Sequence, residues 1–190
     1  MILIHKKPAN GWTPWQPYLK KMKDLAPWYA RDYEVDWLLD NTHGFVGADL
    51  SALSFLNDRS QALAIGKLGH DVFRRLGESK IPVFSFINGL ALGGGLEVGL
   101  HSHYRTLSST ALTGLPEVFL GLIPGWGGAT ILPKLIGPER AVQVIVLNAL
   151  NNNTMMKAKD ALKLGVVDAV FDPSDFLERS IGFAVGILNG

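Results

Sequence analysis

The sequence predicts a mixed α/β fold, and three features of the 190-residue chain lead to this prediction. Segments with helical periodicity alternate with short apolar runs that are typical of buried strands. Glycine or proline stands at most of the boundaries between them. Only four side chains are charged between Ile81 and Pro138, as expected of a stretch that is mostly core. The chain therefore has the length and composition of one folded domain.

The first elements with clear signals lie between residues 58 and 108. Five apolar residues at helical spacing predict a helix that Gly77 ends: Ile65, Leu68, Val72, Phe73 and Leu76. The apolar run 81–87 is predicted to be a buried strand. Glycines 93–95 begin a second helix, which continues to about His101, and Tyr104–Ser108 is the next predicted strand.

The second half of the chain continues the same alternation. Two helices are predicted between residues 127 and 147. Thr154 is predicted to cap a further helix that Gly165 ends, ahead of another strand. Asp172 and Pro173 are predicted to be the N-cap and the first residue of the last helix. Four residues form the apolar face of that helix: Leu177, Ile181, Ala184 and Leu188.

Residues 1–42 differ in composition from the rest of the chain. They hold four of the five tryptophans, and no strong period of a helix or a strand runs through them. We therefore expect an atypical, poorly ordered segment at 1–42, a folded domain at 43–190, and a protein that is prone to self-association.

Charge and composition exclude several classes of function. The 18 basic and 17 acidic residues give a net charge of +1, so the chain has no bulk attraction to nucleic acid or to an anionic membrane. Cysteine is absent, which excludes disulfides, thiolate metal sites and a cysteine nucleophile. No uninterrupted apolar run reaches the roughly 20 residues of a membrane span. We expect a cytoplasmic protein.

The glycine-rich turn within residues 81–97 is the first candidate for chemistry. A strand that runs through glycines into a helix exposes backbone N–H groups at the positive end of the helix dipole. Such groups can bind a phosphate or stabilise an oxyanion. The spacing of Gly93, Gly95 and Gly99 misses the dinucleotide-binding pattern, and no G-x-S-x-G stretch supports a serine hydrolase.

Two isolated carboxylates inside the apolar stretch are the second candidate. Burial would raise the pKa of Glu97 and of Glu117, and two such groups at one site can share general acid and base work on a bound water. The residue types alone equally allow a solvated Glu97 on a helix and a Glu117 that serves as a local cap. His101 and His103 lie two residues apart and do not share a helix face, so we expect no metal site.

Four motifs, in this order, resemble the enoyl-CoA hydratase/isomerase family, also called the crotonase family. They are GADL at residues 47–50, NGLALGGGLE at 88–97, LPEVFLGLIPGWGG at 115–128 and AKDALKLGVVD at 158–168. The resemblance covers about residues 45–188 and implies an α/β, crotonase-like superhelix of repeated β-β-α units. The family's opening hairpins and closing helices have no counterpart here, so we expect a domain truncated at both ends.

The resemblance also assigns roles to individual residues. It implies that the N–H groups of Ala48 and Gly94 form an oxyanion hole for the thioester oxygen. It implies that Glu97 and Glu117 are the two catalytic glutamates, and that the N–H of Gly125 helps to hold the water. The implied substrate-binding residues are Asp49, Leu50, Gly93, Gly125 and Trp126. The sequence leaves open whether the last of these lines the acyl pocket or packs in the core.

The activity that the resemblance implies is reversible hydration of a trans-2-enoyl-CoA to a 3-hydroxyacyl-CoA in fatty-acid β-oxidation. The presence of both glutamates favours hydration, because family members that only isomerise usually lack the first of the two. An isomerase or a thioester hydrolase of the same fold, or an inactive acyl-CoA-binding remnant, stays open.

The sequence around Ala62–Phe73 and at Asn151–Asn153 is most similar to the hydratase part of bacterial fatty-oxidation proteins, which often carry a 3-hydroxyacyl-CoA dehydrogenase domain as well. The implied partners are an acyl-CoA substrate and further copies of the chain, as a trimer or a dimer of trimers. The resemblance implies no cofactor beyond the coenzyme A that the substrate carries.

Overall fold

Helix α1 (Arg59–Gly77) is the first element of the computed structural model, which describes residues 59–190. It lies where the helical spacing predicted it and ends at Gly77, as expected. None of its residues is fully buried, and the side chains of Leu63 and Leu68 are exposed. The predicted segment 1–42 and three predicted site residues lie outside the described part of the chain: Ala48, Asp49 and Leu50.

Two successive strand–turn–strand units stack to form the sheets. The units are β1 (Phe84–Ile87) with β2 (Leu90–Leu92), and β3 (Tyr104–Ser108) with β4 (Leu112–Gly114). Strand β1 pairs parallel with β3, and β2 pairs parallel with β4. Equivalent strands of the two units therefore lie side by side. Helix α2 (Gly94–Leu100) connects the first unit to the second. This repeat confirms the β-β-α superhelix predicted from the sequence.

The chain then leaves the sheets through helices and returns to each of them once. The helical elements are a 3-10 helix (Pro116–Leu120), α3 (Gly128–Ile136), and a continuous stretch made of α4 (Pro138–Val142), a π-helical segment (Gln143–Leu147) and α5 (Asn148–Leu150). The remaining elements are β5 (Met156–Lys157), α6 (Ala158–Leu164), β6 (Ala169–Phe171) and α7 (Phe176–Asn189). Strand β5 pairs antiparallel with β4, and β6 pairs parallel with β3.

The core lies on both faces of the β1–β3–β6 sheet. Phe84 and Phe86 pack into a cluster with the apolar face of α7, which includes Ile181. Ile87 belongs to a second cluster that contains Leu96 of α2. All four residues of β1 are buried, as expected of a parallel strand with helices on both sides. This packing fixes α2, and with it the glycine-rich turn, against the sheet.

Two predicted helix caps are wrong. Helix α6 begins at Ala158, and the hydroxyl of Thr154 instead donates a hydrogen bond to the carbonyl of Asn151 in the preceding turn. The carboxylate of Asp172 accepts hydrogen bonds from both the N–H and the hydroxyl of Ser174, so α7 begins later. In both cases a local side-chain turn competes with the cap for the same short polar residue.

Between residues 59 and 190, no helix combines the length and the apolar character that crossing a membrane requires. Over the same residues, no cluster of three or more histidine, aspartate or glutamate side chains is placed to bind a metal ion. His101 and His103 have separate partners, because the His103 ring accepts a hydrogen bond from the N–H of Val83.

Candidate active site

Helix α2 starts at a glycine turn that directly follows β2. Gly93 has a φ of 54°, a left-handed conformation that favours glycine, and its N–H donates to the carbonyl of Gly114 at 2.9 Å. The first helical hydrogen bond runs from the N–H of Glu97 to the carbonyl of Gly93. The N–H groups of Gly94 and Gly95 therefore precede the first helical bond and belong to the N-terminal end of α2.

Glu97 lies on the first turn of α2 and is only 2% exposed. Its Oε1 accepts two hydrogen bonds, from the N–H of Trp126 at 2.8 Å and from the N–H of Gly128 at 2.9 Å. Burial raises the pKa of Glu97, and the N–H groups of the 126–128 loop oppose this rise. The alternative of a solvated helix glutamate is therefore excluded.

Glu117 lies on the 3-10 helix and is half-buried. Burial raises the pKa of Glu117 to about 7, and the charge of Glu97 adds to the rise. Its Oε2 is buried, and no residue of the described chain forms a hydrogen bond with it. Its Oε1 lies 2.8 Å from the point that a Cβ on Gly93 would occupy. Leu115 is the N-cap residue of this helix and makes no side-chain cap bond, while the N–H of Glu117 itself bonds the carboxyl group and opposes the rise in its pKa.

The loop that carries Trp126 lies between α2 and α1. The carbonyl of Trp126 is 2.7 Å from Nε2 of His101, the residue that follows α2. The indole ring packs edge-to-face on Phe73, with ring centroids 5.5 Å apart. A Cβ on Gly69 would come within 2.3 Å of the indole, so the ring lies directly on the α1 backbone.

A cleft of about 480 Å³ lies beside this contact, between part of α1 and Gly125 of the loop. Gly125 lines one side of it, and one face of α1 lines the other: Arg59, Ala62, Leu63, Gly66, Lys67 and His70. The lining mixes apolar groups with three basic side chains, those of Arg59, Lys67 and His70. This cleft lies beside the loop whose N–H groups bind Glu97.

Two carboxyl groups with different surroundings thus lie near the N-terminal end of one helix. Glu97 has N–H donors that favour its ionised form, whereas Glu117 has a free oxygen and a pKa of about 7. A pair whose environments differ in this way can divide base and acid roles in a proton-transfer reaction.

The sequence model of the enoyl-CoA hydratase/isomerase family matches residues 44–189. The chain belongs to the enoyl-CoA hydratase/isomerase family. The family predicted from the four motifs is therefore confirmed. The fatty acid oxidation complex subunit alpha of Shewanella loihica is 41% identical over 141 residues, which are 73% of this chain and 19% of that protein. The match thus spans about a fifth of the length of this relative.

Solved structures of enoyl-CoA hydratases have the same fold. The enoyl-CoA hydratase subunit I of Geobacillus kaustophilus is 36% identical, covers 75% of this chain and 52% of its own, and has a TM-score of 0.65. The enoyl-CoA hydratase of Bacillus anthracis is 26% identical, covers 90% of this chain and 67% of its own, and has a TM-score of 0.68.

The family motifs predicted several members of this site. The structure brings Gly93, Glu97, Glu117 and Trp126 together around the start of α2, with Gly125 on the adjoining cleft. The indole of Trp126 packs against α1, while its backbone N–H contacts Glu97. The predicted roles of these residues in catalysis or substrate binding remain predictions.

Two contributors in this enoyl-CoA hydratase/isomerase domain were missed by the sequence analysis. The N–H of Gly128 is one of the two donors to Glu97, and His101 was considered only as a metal ligand. Glu97 and His101 are four residues apart, which is the spacing of neighbours on one helix face. That spacing is the signal that would have linked them.

Proposed function

We propose that this chain adds water to trans-2-enoyl-CoA thioesters, giving 3-hydroxyacyl-CoA, as a step of fatty-acid oxidation. The observation that carries the proposal is the pair formed by the buried Glu97 and the half-buried Glu117 beside the N-terminal end of α2. Hydration needs a base at C3 and an acid at C2, so one carboxyl group would not suffice. The family membership supports the same chemistry.

In this proposal Glu97 acts on the water. Two backbone N–H groups bind its Oε1 and hold the carboxylate in one orientation. As the water oxygen bonds to C3 of the substrate, one water proton moves to the Glu97 carboxylate. The N–H donors of Trp126 and Gly128 favour the ionised group before the step and fix its position.

Glu117 supplies the proton for C2. A pKa of about 7 leaves the group partly protonated at neutral pH, and its buried Oε2 has no hydrogen-bond partner among the described residues. When the C2–H bond forms, Glu117 becomes the carboxylate and Glu97 carries the water proton. Glu97 then releases its proton to solvent and Glu117 takes one up, which restores both groups for the next turnover.

The thioester oxygen becomes negative while C3 is attacked, and backbone donors would stabilise it. The N–H of Gly94 at the start of α2 suits this role, with Ala48 as the second donor that the family resemblance implies. Coenzyme A enters this scheme only as part of the substrate.

The test is turnover of crotonyl-CoA, followed by the loss of the conjugated-thioester absorbance. We expect Glu97→Gln and Glu117→Gln each to lower kcat by at least about 10², the usual effect of removing a general acid or base. Glu139→Gln, at an exposed position of α4, is the matched control and should keep the wild-type rate. Equal rates for all four proteins would contradict the proposal.

Product analysis distinguishes hydration from other reactions of the same fold. Hydration gives a 3-hydroxyacyl-CoA, isomerisation moves the double bond of a 3-enoyl-CoA to C2, and thioester hydrolysis releases a free thiol. If the wild-type protein only isomerises its substrate, or only releases the thiol, the proposed hydration is wrong and the observed reaction takes its place.

A further inference from the structure

Glu97 and His101 hold the two polar backbone groups of one residue, Trp126. Glu97 accepts the Trp126 N–H at 2.8 Å, and Nε2 of His101 lies 2.7 Å from the Trp126 carbonyl oxygen. The two side chains are one helical turn apart, so both bonds start from the same face of α2. The segment that donates to Glu97 is therefore fixed at two points of a single residue.

We propose that His101 is a positioning residue for the reaction: its imidazole N–H holds the Trp126 carbonyl and so keeps the N–H groups of Trp126 and Gly128 on Glu97. This inference rests on the proposed hydration, in which the orientation of the Glu97 carboxylate sets the path of the water. His101 itself need not touch the substrate.

The hydrogen bond determines which nitrogen of His101 carries the proton. A carbonyl oxygen only accepts, so Nε2 must be the donor. The ring is nearly inaccessible, since His101 is 6% exposed, and burial lowers its pKa. The neutral imidazole with its proton on Nε2 satisfies both the hydrogen bond and the lowered pKa.

The surroundings of His101 are shaped for this contact. Gly127 has a φ of 137°, and a Cβ at that residue would lie 2.4 Å from Nε2 of His101. Only glycine lets the imidazole approach the loop this closely. Phe73 and His70 of α1 pack edge-to-face on the ring, with centroids 6.0 and 6.3 Å away. The ring is thus held in the plane that the hydrogen bond needs.

A role in packing alone predicts a different set of results. A packing residue would be replaced best by an apolar side chain of similar size, and its loss would lower stability without a specific effect on kcat. A positioning residue would be replaced best by glutamine, whose amide N–H reaches about as far as Nε2. Asparagine is polar but too short, so it serves as a second negative variant.

The kinetic experiment compares His101→Leu, His101→Asn and His101→Gln on crotonyl-CoA. We expect the Leu and Asn variants to lose about 10- to 100-fold in kcat with little change in KM, because the part-buried carbonyl of Trp126 loses its donor and the Glu97 carboxylate loses its orientation. Glutamine should restore most of kcat. The control is His103→Leu, at an exposed histidine two residues on, which loses only the bond from the N–H of Val83 and should keep the wild-type kcat. Unchanged kcat in the Leu and Asn variants, or a Gln variant as slow as these, would overturn the inference.

A second measurement does not depend on turnover. Amide hydrogen exchange of Trp126 and Gly128, followed by NMR, should quicken about 10-fold or more in His101→Asn and His101→Leu, while exchange in β1 stays unchanged. Equal exchange of the loop amides in wild type and variants would overturn the positioning role. A wild type that hydrates no enoyl-CoA, but whose loop amides respond as expected, would refute the proposed function and not this contact.

Discussion

Gly93 and Glu117 approach each other so closely that a single added carbon would not fit between them. A Cβ on residue 93 would lie 2.8 Å from Oε1 of Glu117, and the φ of 54° at this position also favours glycine. The turn that starts α2 and the carboxyl group on the 3-10 helix are therefore in direct contact. This contact links the glycine turn to the proposed acid.

Gly93→Ala should lower kcat by more than 10-fold, because the added methyl displaces the carboxyl group of Glu117. The positive φ adds a backbone cost of about 1–2 kcal/mol. Steady-state kinetics and thermal unfolding measure the two effects. The control is Gly165→Ala in the turn after α6, where φ is 85° and no atom lies within 4 Å of the added Cβ. Gly165→Ala should lose a similar amount of unfolding free energy and keep the wild-type kcat. If kcat falls equally in both variants, backbone strain and not the displaced carboxyl group causes the loss.

The raised pKa of Glu117 should make stability depend on pH. The folded group has a pKa of about 7 and the unfolded group one near 4.5, so the folded state binds more protons between these values. The contribution of Glu117 to stability is therefore largest below pH 4.5 and is lost as the pH rises through about 7. Relative to Glu117→Gln, the wild type should lose about 1–2 kcal/mol of unfolding free energy by about pH 8, after allowance for solvent screening of a half-buried group.

Urea denaturation of both proteins at several pH values measures this difference. The comparison with the variant removes the contributions of other groups, such as His101, whose pKa is lowered by burial and whose effect has the opposite sign. A difference between the two proteins that stays constant with pH would mean that Glu117 keeps an ordinary pKa in the folded chain.

Gly94→Val should abolish turnover while the domain still folds. The N–H of Gly94 lies at the start of α2, and a β-branched side chain there would crowd a thioester bound at this end of the helix. Gly99→Ala on the same helix is the control, since its Cβ would meet only an ordinary contact 3.4 Å from Ile87. Turnover of crotonyl-CoA and circular dichroism give the two readouts. Retained turnover in Gly94→Val would exclude this N–H as the donor to the thioester oxygen.

The sequence predicted those parts of the site that lie on regular elements. The depletion of charge and the glycines at 93–95 indicated a buried helix start. Glu97 was a candidate because it is an isolated carboxylate within that stretch. Strand β3 and the buried face of α7 were also predicted, because their periodicity is strong. The three-residue strands β2 and β4 were missed, because so short a segment shows no period.

The loop partners of Glu97 could not be predicted from local patterns. The contact between His101 and Trp126 joins residues 25 apart in sequence and depends on the backbone angles of Gly127. Residue types alone predict neither the conformation of a loop nor its distance from a helix. The wrong caps at Thr154 and Asp172 have a related cause, since each side chain finds a nearer partner in its own turn.

Gly69→Ala should disturb the active site from the far side of the Trp126 loop. A Cβ at residue 69 would lie 2.3 Å from the indole of Trp126, so either the ring or α1 must move. Movement of the ring would displace the backbone of Trp126, whose N–H binds Glu97. We therefore expect kcat to fall about 10-fold. Alanine otherwise favours a helix over glycine by about 0.5–1 kcal/mol, and this gain opposes the steric cost.

Gly182→Ala separates these two effects. Gly182 lies in α7, and no atom is within 4 Å of the Cβ that alanine would add. This variant should therefore gain about 0.5–1 kcal/mol of unfolding free energy and keep the wild-type kcat. Thermal unfolding and crotonyl-CoA kinetics on both variants provide the comparison. If Gly69→Ala is as stable and as active as Gly182→Ala, the indole has room to move, and its packing on α1 does not position the N–H groups that bind Glu97.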